Sequence, residues 1–245
     1  MGWSPYAVEG ADRSGRWLVT CDHAANTVPE KVIPGGTLGL SEADMDRHIA
    51  YDVGAAGVAR HLARLLDSPA IRTDFSRLVI DPNRDVHDPT VLMKIYDRTV
   101  IPGNKAADRD EIARRKALCY DPYHEAYAAM ADRAGIAICA VHSFTPQFRG
   151  RSWRPWQVGI LWAGDDRISR PLIARLRQLD LTVGDNEPYA GHLAGDSIDR
   201  HALRHGRPNV LVEVRNDLIR DPAGQLAWAE RLAPVLEAAR ADAEI

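Results

Sequence analysis

The stretch Trp17-Leu-Val-Thr-Cys-Asp-His-Ala-Ala-Asn-Thr-Val-Pro29 constrains the fold of this chain more than any other. An apolar run rich in β-forming residues ends in Asp22-His23 and breaks at Pro29, which predicts a buried strand delivering a histidine to the C-terminal edge of a sheet. In open α/β sheets that edge is where ligands bind. Ile136-Ala-Ile-Cys-Ala-Val-His-Ser-Phe144 repeats the pattern, apolar up to His142-Ser143, with Pro146 close behind. Asn209-Val-Leu-Val-Glu-Val-Arg-Asn-Asp217 reads as a third such strand, ending in Glu213, Arg215 and Asp217. Two histidines and a carboxylate at three strand ends point to a metal-assisted hydrolase.

Between these strands the pattern alternates with helices, as a mainly parallel sheet requires, so the expected class is α/β: a central, mostly parallel mixed sheet flanked by helices. A chain of 245 residues can bury one sizeable core, and a single domain over 1–245 is expected. Ser41-Glu-Ala-Asp opens with a capping box, and Ile49, Val53, Val58, Leu62 and Leu66 continue at helical spacing, with a break near Gly54. Ala70–Phe75 reads as a strand, and Ser76–Arg84 as a further apolar, strand-like run. Asp85 to Asp110 shows no sustained period and reads as a long excursion of the kind that is usually functional. Asp110–Gly135 looks helical with an interruption around Asp121-Pro122, Gln157–Trp162 is a strand, and Ile168–Leu179 a helix. Leu181–Val183 is a strand running into Asp185-Asn-Glu-Pro-Tyr189, and a helix from about Pro222 to Ala241 closes the chain.

Composition narrows the function classes. A net charge of -3 gives no overall basic footprint, which argues against a nucleic-acid or anionic-membrane partner. No apolar run approaches the roughly 20 residues needed to span a bilayer. The three cysteines, Cys21, Cys119 and Cys139, are odd in number and lack CxxC spacing, and no charged start leads into an apolar signal core. A reducing, cytoplasmic setting is the expectation.

Zinc needs nitrogen and carboxylate donors converging from rigid elements, with one position left for water. His23 and His142 can supply two donors, and Asp52, on the expected helix after the first loop, is the favoured third. Asp22 and Asn26 compete, although a neutral amide oxygen suits harder cations. His48 lies one helical turn before Asp52 and is a further ligand candidate or an outer partner. Each of these also has an ordinary reading, a hydrogen-bonded buried histidine or a solvated helical acid. Glu213 interrupts Val-Leu-Val-Glu-Val, and a carboxylate in a buried strand needs a partner or a catalytic use. Alternation places Glu213, Arg215 and Asp217 on one face, with a plain Glu213-Arg215 ion pair as the structural alternative. Arg77 and Arg84, flanking Leu-Val-Ile-Asp-Pro-Asn, could present a cationic fork to a substrate carboxylate, with Asn83-Arg84 the more pointed pair.

These segments, with Arg47-His-Ile-Ala-Tyr-Asp-Val-Gly-Ala55, Ser76-Arg-Leu-Val-Ile-Asp-Pro-Asn-Arg84, Ile101-Pro-Gly-Asn104, Pro122-Tyr-His124, His142-Ser-Phe-Thr-Pro146, Asn186-Glu-Pro-Tyr189 and Glu213-Val-Arg-Asn-Asp-Leu218, closely resemble the N-formylglutamate amidohydrolase family. The resemblance runs from about Trp17 to Leu218 and extends, more distantly, to zinc carboxypeptidases and aspartoacylases. It implies a zinc-carboxypeptidase-like (phosphorylase/hydrolase-like) fold and hydrolysis of an N-acyl amino acid such as N-formylglutamate. It also implies Zn2+ or another divalent metal on His23 and His142, with the third ligand left to come from elsewhere, as Asp52 would provide, Glu213 as the base, and Asn83-Arg84 on the substrate carboxylate, with Arg77 and Arg215 as competitors. One departure is plain: where carboxypeptidases carry His-x-x-Glu, the fourth position here is Asn26. The implied partner is a small-molecule substrate. A peptidase acting on short peptides and a metal-free binding protein on the same fold remain as alternatives.

Overall fold

The computed structural model describes residues 2–191 and 193–245. The strands, in chain order, are β1 (Tyr6–Glu9), β2 (Trp17–Cys21), β3 (Ala70–Thr73), β4 (Ile95–Tyr96), β5 (Thr99–Val100), β6 (Ala137–Phe144), β7 (Val158–Leu161), β8 (Val183–Asp185) and β9 (Asn209–Arg215). Seven of them form one sheet in the order β1-β3-β2-β6-β9-β7-β8, while β4 and β5 pair as a separate hairpin. Within the sheet, β3, β2, β6 and β9 run parallel, β1 is antiparallel to β3, and the β7/β8 pair is antiparallel to β9. The helices are α1 (Glu42–Met45), α2 (Ala55–Leu65), α3 (Arg109–Arg115), α4 (Asp121–Ala131), α5 (Ser169–Arg177), α6 (Ser197–His201) and α7 (Pro222–Asp242). Among the described residues, no helix is long and apolar enough to cross a membrane.

Strand alternation sorts the central strands into two unlike faces. On one face Val19, Cys21, Cys139, Val141, Val210, Val212 and Val214 pack against α2, α5 and α7 through Leu62, Leu172, Leu232 and Leu236. Each such fully buried side chain contributes about 1.5–3 kcal/mol of hydrophobic stabilisation. On the other face Leu18, Ile138, Ala140 and Leu211 meet Tyr123 and Tyr127 of α4 and Ile198 of α6. Towards the C-terminal ends of the same strands this second face turns polar, because the alternate positions there are Asp22, His142 and Glu213. A third apolar cluster, including Val32, Leu38, Phe75, Leu78, Val79, Ile80 and Ile101, gives the long connections their own core.

Several local expectations are corrected. The helix read over the forties and fifties is two pieces, α1 and α2, and Asp52 lies in the irregular segment between them, so it and His48 do not share a helical face. The backbone N–H of Asp52 donates to the carbonyl of His23 at 2.9 Å, a long-range tie that holds this segment off the helix. Gly54 caps α2 with φ of 81°, and a Cβ there would stand 2.1 Å from the Ile219 carbonyl oxygen. Ser76–Arg84 is a series of buried turns rather than a strand; its apolar residues belong to the third cluster. The interruption in the helix after Asp110 is a π-helical turn at Lys116–Tyr120, and Asp121-Pro122 opens α4 without breaking the helical path. The strand expected at Leu181–Val183 begins at Val183 instead. Strand β1, absent from the sequence reading, covers the edge beyond β3.

Candidate active site and metal centre

Three C-terminal strand ends converge on one cavity of about 420 Å³. His23 lies two residues past the end of β2, and His142 lies within β6 two residues before its end. Glu213 stands opposite His142 in the parallel β6/β9 register, which puts both side chains on the same face. Gly159 of β7 pairs with Glu213 from the other side, and a Cβ there would lie 2.1 Å from the Glu187 carbonyl oxygen. The missing side chain lets the loop carrying Pro188 and Tyr189 close over the sheet and wall the cavity.

His23, Asp52 and His142 each offer an atom to a common point, all within 4.8 Å of one another. Oδ2 of Asp52 is 3.3 Å from Nδ1 of His23 and 2.8 Å from Nδ1 of His142. The opposite ring nitrogens face other carboxylates: Nε2 of His23 is 2.8 Å from Oδ1 of Asp81, and Nε2 of His142 is 3.4 Å from Oδ2 of Asp22. Metal-binding histidines characteristically back their second nitrogen with a carboxylate, which fixes the tautomer and the ring. Oδ2 of Asp22 and Nε2 of His142 are both buried without a hydrogen bond, and they face each other. Two imidazoles, one carboxylate and this outer support suit a borderline divalent metal such as zinc.

The supporting carboxylates are themselves held. Asp81 accepts from Arg77 Nε (3.1 Å) and Nη2 (2.6 Å) and from the Asn83 backbone N–H (2.9 Å). Burial opposes its charge, but Arg77 and His23 keep its carboxyl well below the usual range. Asp22 accepts from the Tyr123 hydroxyl at 2.5 Å. Burial would raise Asp22 too, yet the facing His142 imidazole and the Tyr123 hydroxyl hold it low. The same logic lowers Asp52, buried between two imidazoles, and raises His142 well above an ordinary histidine, because its carboxylate partners outweigh burial. Glu213 behaves differently: it is buried with Oε2 unpartnered among the described residues, and burial together with the charge of Asp52 pushes it up to about 7 against the opposing pull of His142.

Of the arginines singled out from sequence, Arg77 and Arg84 line the cavity with Asn83, whereas Arg215 is not among the lining residues. Arg77 is committed to Asp81 and lies 3.5 Å from Asp52. Arg84 donates through Nη1 to the Asn83 carbonyl at 2.7 Å and has no carboxylate partner among the described residues. The Asn83 side chain accepts from the Ser197 backbone N–H at 3.1 Å, anchoring the start of α6. Arg215 ends β9 in register with Phe144, keeping the alternation of Glu213, but its side chain bonds Asp217 at 2.8 Å and the carbonyls of Pro155 and Trp156, and among the described residues no ion pair joins it to Glu213. Asn26 donates to the Met45 carbonyl and to Asp46, away from the His-Asp-His group. His48 lines the cavity but sits beside Phe148 and Asp97, and burial pulls it down to about 4, leaving it neutral. Sequence reasoning assigned no role to Asp81, Tyr123, Tyr189 or Asp196, although the first three lie in motifs that carry the family resemblance.

The family model for N-formylglutamate amidohydrolase matches residues 15–220. The chain belongs to the N-formylglutamate amidohydrolase family. A crystal structure of a gene product from Agrobacterium tumefaciens is similar over 99% of this chain and 97% of that one, at 34% identity and a TM-score of 0.92. A structure described as N-formylglutamate amidohydrolase from Ralstonia eutropha JMP134 shares the fold at 17% identity and a TM-score of 0.64, covering 99% of both chains. No curated protein sequence matches the chain.

Proposed function

We propose that this protein is a metal-dependent amidohydrolase that removes the acyl group from a small N-acyl amino acid. The observation that carries the reading is the convergence of His23, Asp52 and His142 beside a buried Glu213 that, among the described residues, has no hydrogen bond at Oε2. His23, Asp52 and His142 would hold a divalent metal, zinc by the chemistry of the donor set. Such an ion, when bound, supplies Lewis acidity that polarises the amide carbonyl and makes water acidic enough to react near neutral pH.

The chain's own groups do the rest. Glu213, in its ionised form, takes a proton from the attacking water as the new C–O bond forms at the carbonyl carbon. It returns that proton to the amide nitrogen as the C–N bond breaks, so that water and amide become a carboxylic acid and an amine. Burial suits this exchange, since a carboxyl poised near 7 can both accept and release a proton at neutral pH. Asp81 and Asp22 fix which ring nitrogen each histidine turns to the centre. Arg77 is held by Asp81 near Asp52 and keeps two neighbouring carboxylates compatible in one buried site. Arg84 pairs with the substrate carboxylate: its guanidinium lines the cavity and has no carboxylate partner among the described residues. A cavity of about 420 Å³, walled by Tyr96 and Tyr189, favours a small acyl amino acid over an extended peptide.

The test is elemental analysis of the purified protein, followed by hydrolysis of N-acyl amino acids with and without added divalent metal. Metal in proportion to protein and metal-dependent release of a free amino acid are expected. Retention of stoichiometric metal by the His23→Ala/His142→Ala double variant would exclude the assigned ligands.

A further inference from the structure

Behind the cavity, outside the residues that line it, two buried histidines stand side by side. Nδ1 of His124 on α4 is 2.8 Å from Nε2 of His201 on α6, and Nε2 of His124 is 3.0 Å from the Pro82 carbonyl oxygen. A carbonyl only accepts, so Nε2 of His124 carries a proton. Burial pulls His124 down to about 4 and His201 down to about 3, which leaves both rings uncharged at neutral pH. In an uncharged ring protonated at Nε2 the other nitrogen is bare, so Nδ1 of His124 accepts and His201 donates. The hydrogen bonds therefore run one way, from His201 through His124 to Pro82. Both rings are braced by aromatic neighbours: His201 stacks on Tyr127 with centroids 4.0 Å apart, and Tyr120 lies against His124 at 4.3 Å.

This relay ends on the turn that presents Arg84. The Asn83 side chain accepts from the Ser197 backbone N–H, and the Arg84 carbonyl accepts from the Tyr120 hydroxyl at 2.8 Å, which itself accepts from Nη2 of Arg200 at 2.7 Å. Pro82, Asn83 and Arg84 are thus each tied to α6, at His201, Ser197 and Arg200. The guanidinium inherits the position of that backbone, because its Nη1 donates to the Asn83 carbonyl at 2.7 Å. An imidazole pair suits the first tie, since His124 donates to the Pro82 carbonyl while His201 satisfies its second nitrogen; an apolar side chain would withdraw both bonds from a buried place. Resting on the carboxylate role given to Arg84 above, we propose that His124 and His201 are positioning residues, whose one-way hydrogen bonds to Pro82 set the Arg84 guanidinium where it meets the substrate carboxylate.

The first test needs no variant: long-range proton–nitrogen NMR of the wild type at neutral pH should show both rings uncharged and protonated at Nε2. A charged ring, or a proton on Nδ1 of either, would overturn the proposal. The second test is kinetic, on the metal-loaded enzyme. His201→Leu removes the donor to His124, and kcat/KM on N-formylglutamate should fall about tenfold through KM, with kcat and bound metal held. His201→Gln, whose amide N–H can still donate, should restore most of the loss. In an Arg84→Gln background His201→Leu should add less than about twofold. An equal loss with and without Arg84, or full kcat/KM in folded His201→Leu, would sink the positioning role. Inactivity of the wild type, or a harmless Arg84→Gln, would instead defeat the reading on which it rests, and a crystal structure of His201→Leu then decides. A displaced Arg84 guanidinium supports the positioning role, and an unmoved one overturns it.

Discussion

The two faces of the central sheet are built from the same strands and carry opposite assignments. Under α2, α5 and α7 the alternate residues of β2, β6 and β9 are apolar from end to end. Under α4 and α6 the intervening positions begin apolar, at Leu18, Ile138 and Leu211, and end in Asp22, His142 and Glu213. One face spends its burial on cohesion, and the other places charged groups where desolvation makes them reactive. Removing an atom from the first should cost stability, whereas removing one from the second should cost chemistry.

The widest break expected is on the apolar face. Leu62 is fully buried between α2 and the sheet, and Leu62→Ala should lower unfolding stability by about 2–5 kcal/mol in denaturant titration. Turnover per folded molecule should be unchanged, and a loss of kcat without a loss of stability would dissolve the contrast between the faces. Next comes Glu213→Gln, which should keep bound metal and lower kcat by about 10²-fold, close to 2.7 kcal/mol of barrier. The sign of its pH dependence follows from the role. A base must be ionised, so activity rises with pH through its pKa, which burial pushes up to about 7. A bound cation lowers that value, so the acid limb of kcat/KM should lie at or below about 7 in the wild type and disappear in the glutamine variant. Asp22→Asn sharpens the comparison further, since it leaves every apolar contact of its face in place and removes only the carboxylate behind His142. Metal affinity should fall about 10–100-fold by competitive chelator titration, with unfolding stability of the metal-free protein moving less. The smallest effect is expected for Tyr123→Phe, which removes one charge-assisted hydrogen bond from Asp22 and should cost about 1.5 kcal/mol.

The difference between the faces also explains what the sequence made visible. β2, β6 and β9 stand out because strands covered on both faces are continuously apolar, so an acid or histidine breaking the run is conspicuous. His23, His142 and Glu213 were legible for that reason, and the parallel sheet with them. Asp52 could be named but not placed: the hydrogen bond that takes it off a helix comes from His23, across 29 residues of sequence. Ser76–Arg84 looked like a strand because buried turns and buried strands have the same composition, and periodicity does not separate them over so short a run. Alternation rightly puts Arg215 in step with Glu213, but the residue closes β9, and its side chain bonds Asp217 and the Pro155 carbonyl rather than lining the cavity. Arg77 reads from sequence as a free cation, and only the fold reveals that Asp81, four residues on, has taken it. β1 is short, half-buried and antiparallel, so no sustained apolar run announces it.

The in-register pairing of His142 with Glu213 has a consequence for how such a chain can change over time. A strand repeats every two residues, so deleting one residue inside β6 ahead of His142 would turn the imidazole toward α2 and bring Ser143 to the place it left. The connections after these strands are under no such parity rule: they can lengthen, shorten or be exchanged, and the imidazole and the carboxyl stay side by side. Diversification of this scaffold is therefore channelled into the loops that wall the cavity, where a new insertion alters what is admitted and leaves intact what is done to it.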